Sequence, residues 1–333
     1  MFRLFGRLLV LGLFLGLAVV GWMTWFTFTP LEIKNGSVDF SVKPGSSLRT
    51  AARQIKDAGV NLNLMQFDLL SRLLGRSSTI KAGNYQLNKG TSPFDLLQQL
   101  SRGKVNLTEI AFIEGWTFKQ IRKQLSESSS VKHDSTNLND NELMQRIGAI
   151  EQSPEGLFFP DTYLFDNGTS DLQILKRAYK AMKKQLAAAW ESRDLSTPYG
   201  TPYEALIMAS IVEKETGHKN DRDMVAAVFV NRLKLGMMLQ ADPTVIYGMG
   251  DQFDGNLRKR DLQTDTAFNT YTRTGLPPTP IAMPGLASLH SALNPAKSKA
   301  LYFVARGDGT SHFSNTLKEH NRAVVKYQLG GNR

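Results

Sequence analysis

The sequence predicts an α+β protein in three parts: an N-terminal transmembrane helix, a small α+β module, and a larger mixed α+β domain. Three observations carry this expectation. An uncharged apolar run opens the chain, short strand-like pieces alternate with short capped helical pieces up to about residue 125, and longer helical periods dominate from residue 171 onward. The expected boundaries are 1–30 for the cytoplasmic tip and anchor, 31–108 for the small module, and 109–333 for the large domain.

No charged residue lies between Leu8 and Phe28. A helix over that run is about 31 Å long at about 1.5 Å per residue, and a bilayer core is about 30 Å thick. Trp22, Trp25 and Phe26 near its far end suit an interfacial aromatic belt. Arg3 and Arg7 precede the run, while Glu32 and Lys34 cancel after it. The positive-inside rule therefore puts the N-terminus in the cytoplasm and residues 31–333 outside. A cleaved signal peptide would have a shorter apolar core followed by a small-x-small site. Here Thr-Trp-Phe-Thr-Phe-Thr-Pro follows at 24–30, so an uncleaved single-pass anchor is expected.

The 333 residues contain no cysteine, which excludes thiolate catalysis, disulfide frameworks and cysteine-ligated metals. The exported part must then stand on its hydrophobic core, which a chain of this size can build. A formal net charge of +10 suggests an anionic partner. Outside the membrane, anionic lipid head groups or a carboxylate-bearing cell-wall polymer fit better than nucleic acid.

Strand-like pieces at 37–42, 83–87 and 107–113 precede segments in which glycine, then Ser or Thr, leads into a helical apolar period: 45–55, 90–100 and 115–125. In each the hydroxyl residue can cap a helix of about three turns. This alternation indicates a small α+β module at about 37–106, with the look of a partial duplication. Residues 126–140 are serine-rich and polar, hence a loop. A helical period runs from Asp171 to Trp190 with lysines on its solvated face. Thr201-Pro202-Tyr203-Glu204 fits a capping box with proline at the first helical position, and Gly217 is a natural stop. A further helix is expected from about Asp221 to Leu235, ending at Gly236. The stretch 274–286 is proline-rich, hence extended or turn-rich rather than helical, and Leu301–Ala305 reads as a buried strand.

Chemistry narrows to carboxylates. There is no Gly-x-Ser-x-Gly elbow, and Ser-x-x-Lys recurs at Ser78, Ser101 and Ser129 without supporting motifs. The five histidines are scattered, and no His-Glu-x-x-His is present. No metal and no cofactor is expected. The helix after Thr201 is apolar almost all round and ends in Glu213-Lys-Glu215. Burial and the negative end of the helix dipole both raise a carboxyl pKa there, and such a group can serve as a general acid. At about 100° per residue the two glutamates point about 200° apart, so they cannot face each other across one sugar bond as a retaining pair does. One acid, either Glu213 or Glu215, must act alone or with a distant partner. Downstream, 239–248 and 268–271 place polar groups and rings in turns, as sugar recognition requires.

The motif Ala209-Ser-Ile-Val-Glu-Lys-Glu-Thr216 resembles the active-site segment of the endolytic murein transglycosylases, the YceG-like family. So do Val228–Leu233 (Val-Phe-Val-Asn-Arg-Leu), Leu239–Gly250, Asn269-Thr-Tyr271, Gly275-Leu-Pro-Pro278, Glu114-Gly-Trp116, Glu155-Gly156 with Phe159–Thr162, and Leu301–Val304. The resemblance covers nearly the whole exported part in order. It implies a LysM-like glycan-binding module at 31–108 and a catalytic domain at 109–333. It also implies Glu215 as the catalytic acid, cleaving the bond between N-acetylmuramic acid and N-acetylglucosamine within peptidoglycan strands to leave 1,6-anhydro ends. Gln240, Asp242, Asn269 and Tyr271 are the expected substrate-binding residues. Gly217 departs from the alanine expected at its position and leaves Glu215 in the last turn. Glycan strands, the membrane and peptidoglycan synthases are the expected partners. A peptidoglycan hydrolase using water activated by Asp242 or another carboxylate, and a non-catalytic glycan-binding scaffold for synthases, are the alternatives.

Overall fold

The computed structural model describes residues 2–33, 36–43, 45–103, 107–149, 153–216 and 218–330. They divide into two compact units, Met1–Thr108 with Leu164–Asn167, and Glu109–Tyr163 with Gly168–Arg333. The mixed α+β class holds for both.

In the first unit helix α1 (Phe2–Phe28) is followed by strand β1 (Ser37–Val42), helices α2 (Leu48–Asp57) and α3 (Leu64–Leu73), strand β2 (Gly83–Asn88) and helix α4 (Pro93–Arg102). β1 and β2 pair antiparallel from Ser37↔Asn88 to Val42↔Gly83. The expected hydroxyl caps form: Ser47 accepts the Thr50 N–H, and Ser92 makes a reciprocal capping box with Asp95. α3 has no glycine-hydroxyl signal. It starts from Asn63, whose side chain accepts from the Met65 and Gln66 N–H groups, and so escaped a reading keyed to Ser and Thr. The apolar faces meet in one core built around Ile55, Phe67, Leu87, Leu96 and Leu100, with Phe40 stacked on Tyr85 at 5.5 Å.

α1 contributes to that core through Met23 and Phe26, while Leu13, Phe14, Leu15, Leu17, Trp22 and Trp25 are exposed. Among the described residues no helix is long and apolar enough to cross a membrane. The side chains of Leu8–Leu11 in the expected span lie outside the described residues.

Strand β3 (Leu107–Ala111) pairs with β5 (Thr162–Asp166). In the second unit follow α5 (Phe118–Glu127), β4 (Val131–Lys132), α6 (Asp140–Ile147), β6 (Thr169–Ser170), α7 (Asp171–Glu191) and α8 (Pro202–Glu215). Then come α9 (Arg222–Lys234), α10 (Asp242–Met249), α11 (Lys259–Gln263), α12 (Leu286–Leu293), β7 (Tyr302–Ala305), β8 (Ser311–Ser314) and α13 (Leu317–Tyr327). The expected loop at 126–140 is pinned rather than loose. β4 pairs with β6, and the buried Asp171 carboxylate accepts the N–H groups of Asp134 and Ser135 and the Ser135 hydroxyl.

α8 is the axis of this unit. Ala205 through Val212 are all buried, and α7, α9, α10 and α12 pack around it. A helix apolar on every side folds stably only when enclosed in this way. Its start differs in one detail from the expected capping box. Thr201 caps the Glu204 N–H, but the Glu204 carboxylate takes the Gly200 N–H instead of closing the box. Its end comes at Glu215, with Thr216 extended and its hydroxyl donating to the Val212 carbonyl at 2.6 Å. Gly217, the expected stop, lies outside the described residues.

The proline-rich stretch ahead of α12 is a series of bends without regular structure, tied to α8. The Ser210 hydroxyl, buried in α8, accepts the Ile281 N–H at 3.0 Å and donates to Ile207. Met283 exchanges backbone hydrogen bonds with Gly115 and Trp116. Gly156 has φ +78°, and a Cβ there would stand 2.4 Å from Pro280, so only glycine fits. Beside it the buried Glu155 carboxylate accepts the Phe118 N–H at the start of α5 and the Tyr247 hydroxyl at 3.1 Å. Burial pushes its pKa up to about 7 against these hydrogen bonds.

Two stability measurements check this arrangement. Ser210→Ala strands the buried Ile281 N–H and is expected to cost about 1–3 kcal/mol in urea unfolding; a loss below about 0.5 kcal/mol would contradict that bridge. Glu155 binds its proton more tightly folded than unfolded, so its contribution falls as pH rises from 4.5 to about 7. Glu155→Gln should therefore flatten part of the decline in Tm over that window, and an unchanged slope would show that Glu155 is not protonated in the fold.

Candidate active site

The burial of α8 decides what its two terminal glutamates do. Glu213 points to α12. Its carboxylate accepts the Gly285 N–H at 2.9 Å and the Ser288 hydroxyl at 2.7 Å. Gly285 is the N-cap of α12 and has no side chain to close that helix, so Glu213 supplies the missing cap from a neighbouring element. Both accepted groups lie at the positive end of the α12 dipole.

Glu215, on the other side of the helix, opens into a cavity of about 500 Å³ that it shares with Arg232, Gln240, Asp242, Tyr271 and the β7 residues Phe303 to Ala305. The first turn of α10 faces it, and the Asp242 backbone N–H favours its charged form. Burial raises the Glu215 pKa to about 7, and the charge on Asp242 adds to that rise. Arg232 and the Asp242 N–H pull the other way. The group is therefore close to half-protonated near neutral pH, the condition that suits one residue to both give and take a proton.

Arg232 is only 7 % exposed. Its Nε donates to the Leu301 carbonyl at 2.7 Å and its Nη1 to the Leu239 carbonyl at 2.7 Å, while the guanidinium lies over the Tyr302 ring at 5.2 Å. This cage fixes a cation in the cavity wall and lowers its own pKa through burial. Gln240 sits beside it in the left-handed region at φ 53°, a conformation that costs a non-glycine residue about 1–3 kcal/mol. Its backbone N–H is held by the Thr270 carbonyl at 3.1 Å, and its side-chain oxygen accepts from Arg232 at 3.4 Å.

Asp242 and Tyr271 form a pair at the rim, with the phenol donating to the carboxylate. The tyrosine is half-buried, and burial followed by the Asp242 contact raises its pKa. Asp242 was expected in a turn; it is instead the first residue of α10, with Pro243 setting the helical start.

Asn269 is the one expected substrate contact that the structure removes from the cleft. It is 0 % exposed. Its amide donates to the Leu262 and Thr264 carbonyls, and its Oδ1 accepts the Tyr271 N–H at 2.8 Å. With donors and acceptor engaged by backbone, it holds Tyr271 in place and has nothing left to offer a ligand. Gln240, Asp242 and Tyr271 do meet Glu215 in one cavity.

Two residues of chemical weight were missed as site candidates. Arg232 had a readable signal, since an arginine inside an apolar helical run must be buried with its charge satisfied. Glu155 had none beyond its motif, because its partners Phe118 and Tyr247 are remote in sequence.

Comparison with known proteins places the chain. The sequence model of the YceG-like family matches residues 40–326. The endolytic murein transglycosylase of Bacillus subtilis (strain 168) is 34 % identical over 310 residues, covering 87 % of this chain and 85 % of the relative. The endolytic murein transglycosylase of Streptococcus pneumoniae serotype 2 (strain D39) is 27 % identical over 323 residues, and the chain spans 58 % of that relative's length. The crystal structure of a YceG-like protein from Listeria monocytogenes superposes with a TM-score of 0.55 at 28 % identity, covering 87 % of this chain and 99 % of the other. The chain belongs to the YceG-like family.

Proposed function

We propose that this protein is a peptidoglycan lytic transglycosylase in which Glu215 is the sole acid–base group. The observation that carries the reading is a single partly buried carboxyl, with a pKa of about 7, opening into a cavity of about 500 Å³ walled by polar groups and rings. The endolytic murein transglycosylases among its relatives support the substrate class.

Protonated Glu215 gives its proton to the oxygen joining C1 of N-acetylmuramic acid to N-acetylglucosamine. That bond breaks, the leaving sugar departs as an alcohol, and positive charge develops at C1. The Glu215 carboxylate then takes the proton of the muramyl C6 hydroxyl as O6 bonds to C1, closing a 1,6-anhydro ring. No water is consumed, and Glu215 ends the cycle protonated as it began. Asp242 keeps the acid form populated by repulsion, and Arg232 stabilises the carboxylate form between the two steps. Asp242 is itself tied to the Tyr271 hydroxyl, which favours this role over that of a free base activating water. Gln240, Asp242 and Tyr271 are the proposed substrate contacts.

Leu13, Phe14, Leu15, Leu17 and Val20 of α1 are exposed apolar side chains in a run without charge from Leu8 to Phe28. We take α1 as a single-pass anchor in the cytoplasmic membrane with the remainder outside, the module at 31–108 as LysM-like and glycan-binding, and 109–333 as catalytic. Cutting inside strands beside the membrane would trim or terminate nascent glycan, with peptidoglycan synthases as partners.

Glu215→Gln is expected to keep the fold and lose at least about 10²-fold in rate on purified peptidoglycan. Glu213→Gln retains an acceptor for Gly285 and Ser288 and should lose far less; equal losses would reverse the assignment. The rate should fall as pH rises through about 7, where Glu215 gives up the proton needed for the first step. Asp242→Asn removes the repulsion and should move that limb to lower pH, and a limb that stays in place would remove Asp242 from the account.

A further inference from the structure

The open edge of β7 lies along the cavity that holds Glu215. Phe303, Val304 and Ala305 all border that cavity, yet successive residues of a strand point to opposite faces of the sheet. A cavity that borders three in a row reaches the strand's backbone, and His320, Val324 and Gln328 of α13 form another wall of it. β7 and β8 make a sheet of two strands, so among the described residues no strand covers the far edge of β7.

The hydrogen-bond ladder shows which groups that edge presents. Arg306 donates its N–H across to the Thr310 carbonyl at 2.9 Å. The Ser311 N–H instead turns away from β7, to the Asp221 carboxylate at 2.6 Å. Ala305 and Ser311 are register partners, so theirs is a non-hydrogen-bonded pair and by alternation the ladder bonds fall to Val304, while before the strand the Leu301 N–H donates to the Ser314 carbonyl at 2.9 Å. The N–H and C=O of Phe303 and Ala305 consequently point to the open edge, where among the described residues they meet no backbone partner. Arg232, which lines the same cavity, holds the Leu301 carbonyl at the start of this strand.

We propose that this edge binds the peptide carried by the glycan strand, in extended form, as an added strand next to the reacting sugar. The inference rests on the transglycosylase reading. Alternating donors and acceptors along a strand edge recognise a peptide backbone, the mode of strand addition, rather than the scattered hydroxyls of a sugar. Phe303 to Ala305 span about 10 Å, the length of two or three peptide residues. The peptide leaves the muramic acid ring through the lactyl ether at C3, on the same ring whose C1 reacts, so a sugar with C1 at Glu215 brings its peptide to this wall. The substrate is then peptide-substituted strand in preference to bare glycan.

The test compares full-length protein on purified glycan strands with peptides attached and on the same strands after an amidase has removed them. Wild type should show kcat/KM higher by about tenfold on the peptide-bearing strands, the worth of one or two net hydrogen bonds. Ala305→Pro deletes an N–H that β8 does not use and should bring the ratio of the two substrates close to one. A wild-type ratio near one, or a ratio unchanged in Ala305→Pro, overturns the proposal. If Ala305→Pro fails to fold, or if wild type cuts neither strand, hydrogen exchange on the wild type decides. A peptide-bearing disaccharide should slow exchange of the Phe303 and Ala305 amides while the bare disaccharide does not. Equal protection, or none, overturns the proposal, whereas failure to cut either strand counts only against the transglycosylase reading.

Discussion

The enclosure of α8 is the constraint on which the rest of the site depends. A helix with apolar side chains on every face must be packed on every face, and here α7, α9, α10 and α12 do so. Once its axis is fixed, helical geometry sends the two carboxylates at its end in nearly opposite directions. Each meets the N-terminal end of another helix, Glu213 that of α12 and Glu215 that of α10. The same local sequence thus yields one structural anion and one reactive acid. The difference lies in what each is offered: Glu213 is saturated by Gly285 and Ser288, whereas Glu215 faces open space and competing charges.

Those competing charges give the acid its working range. Burial alone would hold Glu215 protonated and make it a poor base. The caged Arg232 and the Asp242 N–H oppose burial, and Asp242 supports it. Arg232 itself is kept in place by backbone carbonyls at Leu239 and Leu301, which makes it a fixed wall charge with little freedom to collapse onto the acid. The strained Gln240 joins that wall. Backbone strain retained beside reactive groups is a recurring feature of functional sites.

How much of this could be read in advance depended on the range of the interactions. Short-range signals worked: the caps at Ser47, Ser92, Thr117 and Thr201, the buried run of α8, and the opposed directions of Glu213 and Glu215 follow from neighbours within a few residues. Gln240, Asp242 and Tyr271 were placed by motif, and they do share a cavity with Glu215. Failures came where the partner was distant. Asn269 reads as a sugar-binding amide, but its partners at Leu262, Thr264 and Tyr271 make it a buried brace. α10 looked like a turn because Asp-Pro and glycine dominate it, though proline after aspartate also starts helices. Glu155 and the open edge of β7 depend on pairing between remote segments, which local pattern does not encode.

The central claim is that one carboxyl does both proton transfers and that the sugar's own C6 hydroxyl replaces water. The intact mass of the fragments released from purified peptidoglycan tests it most directly. Muramyl ends lighter by one water than hydrolysed ends are expected from wild type and should be absent with Glu215→Gln. Fragments carrying only hydrated reducing ends would contradict it and would point to a hydrolase.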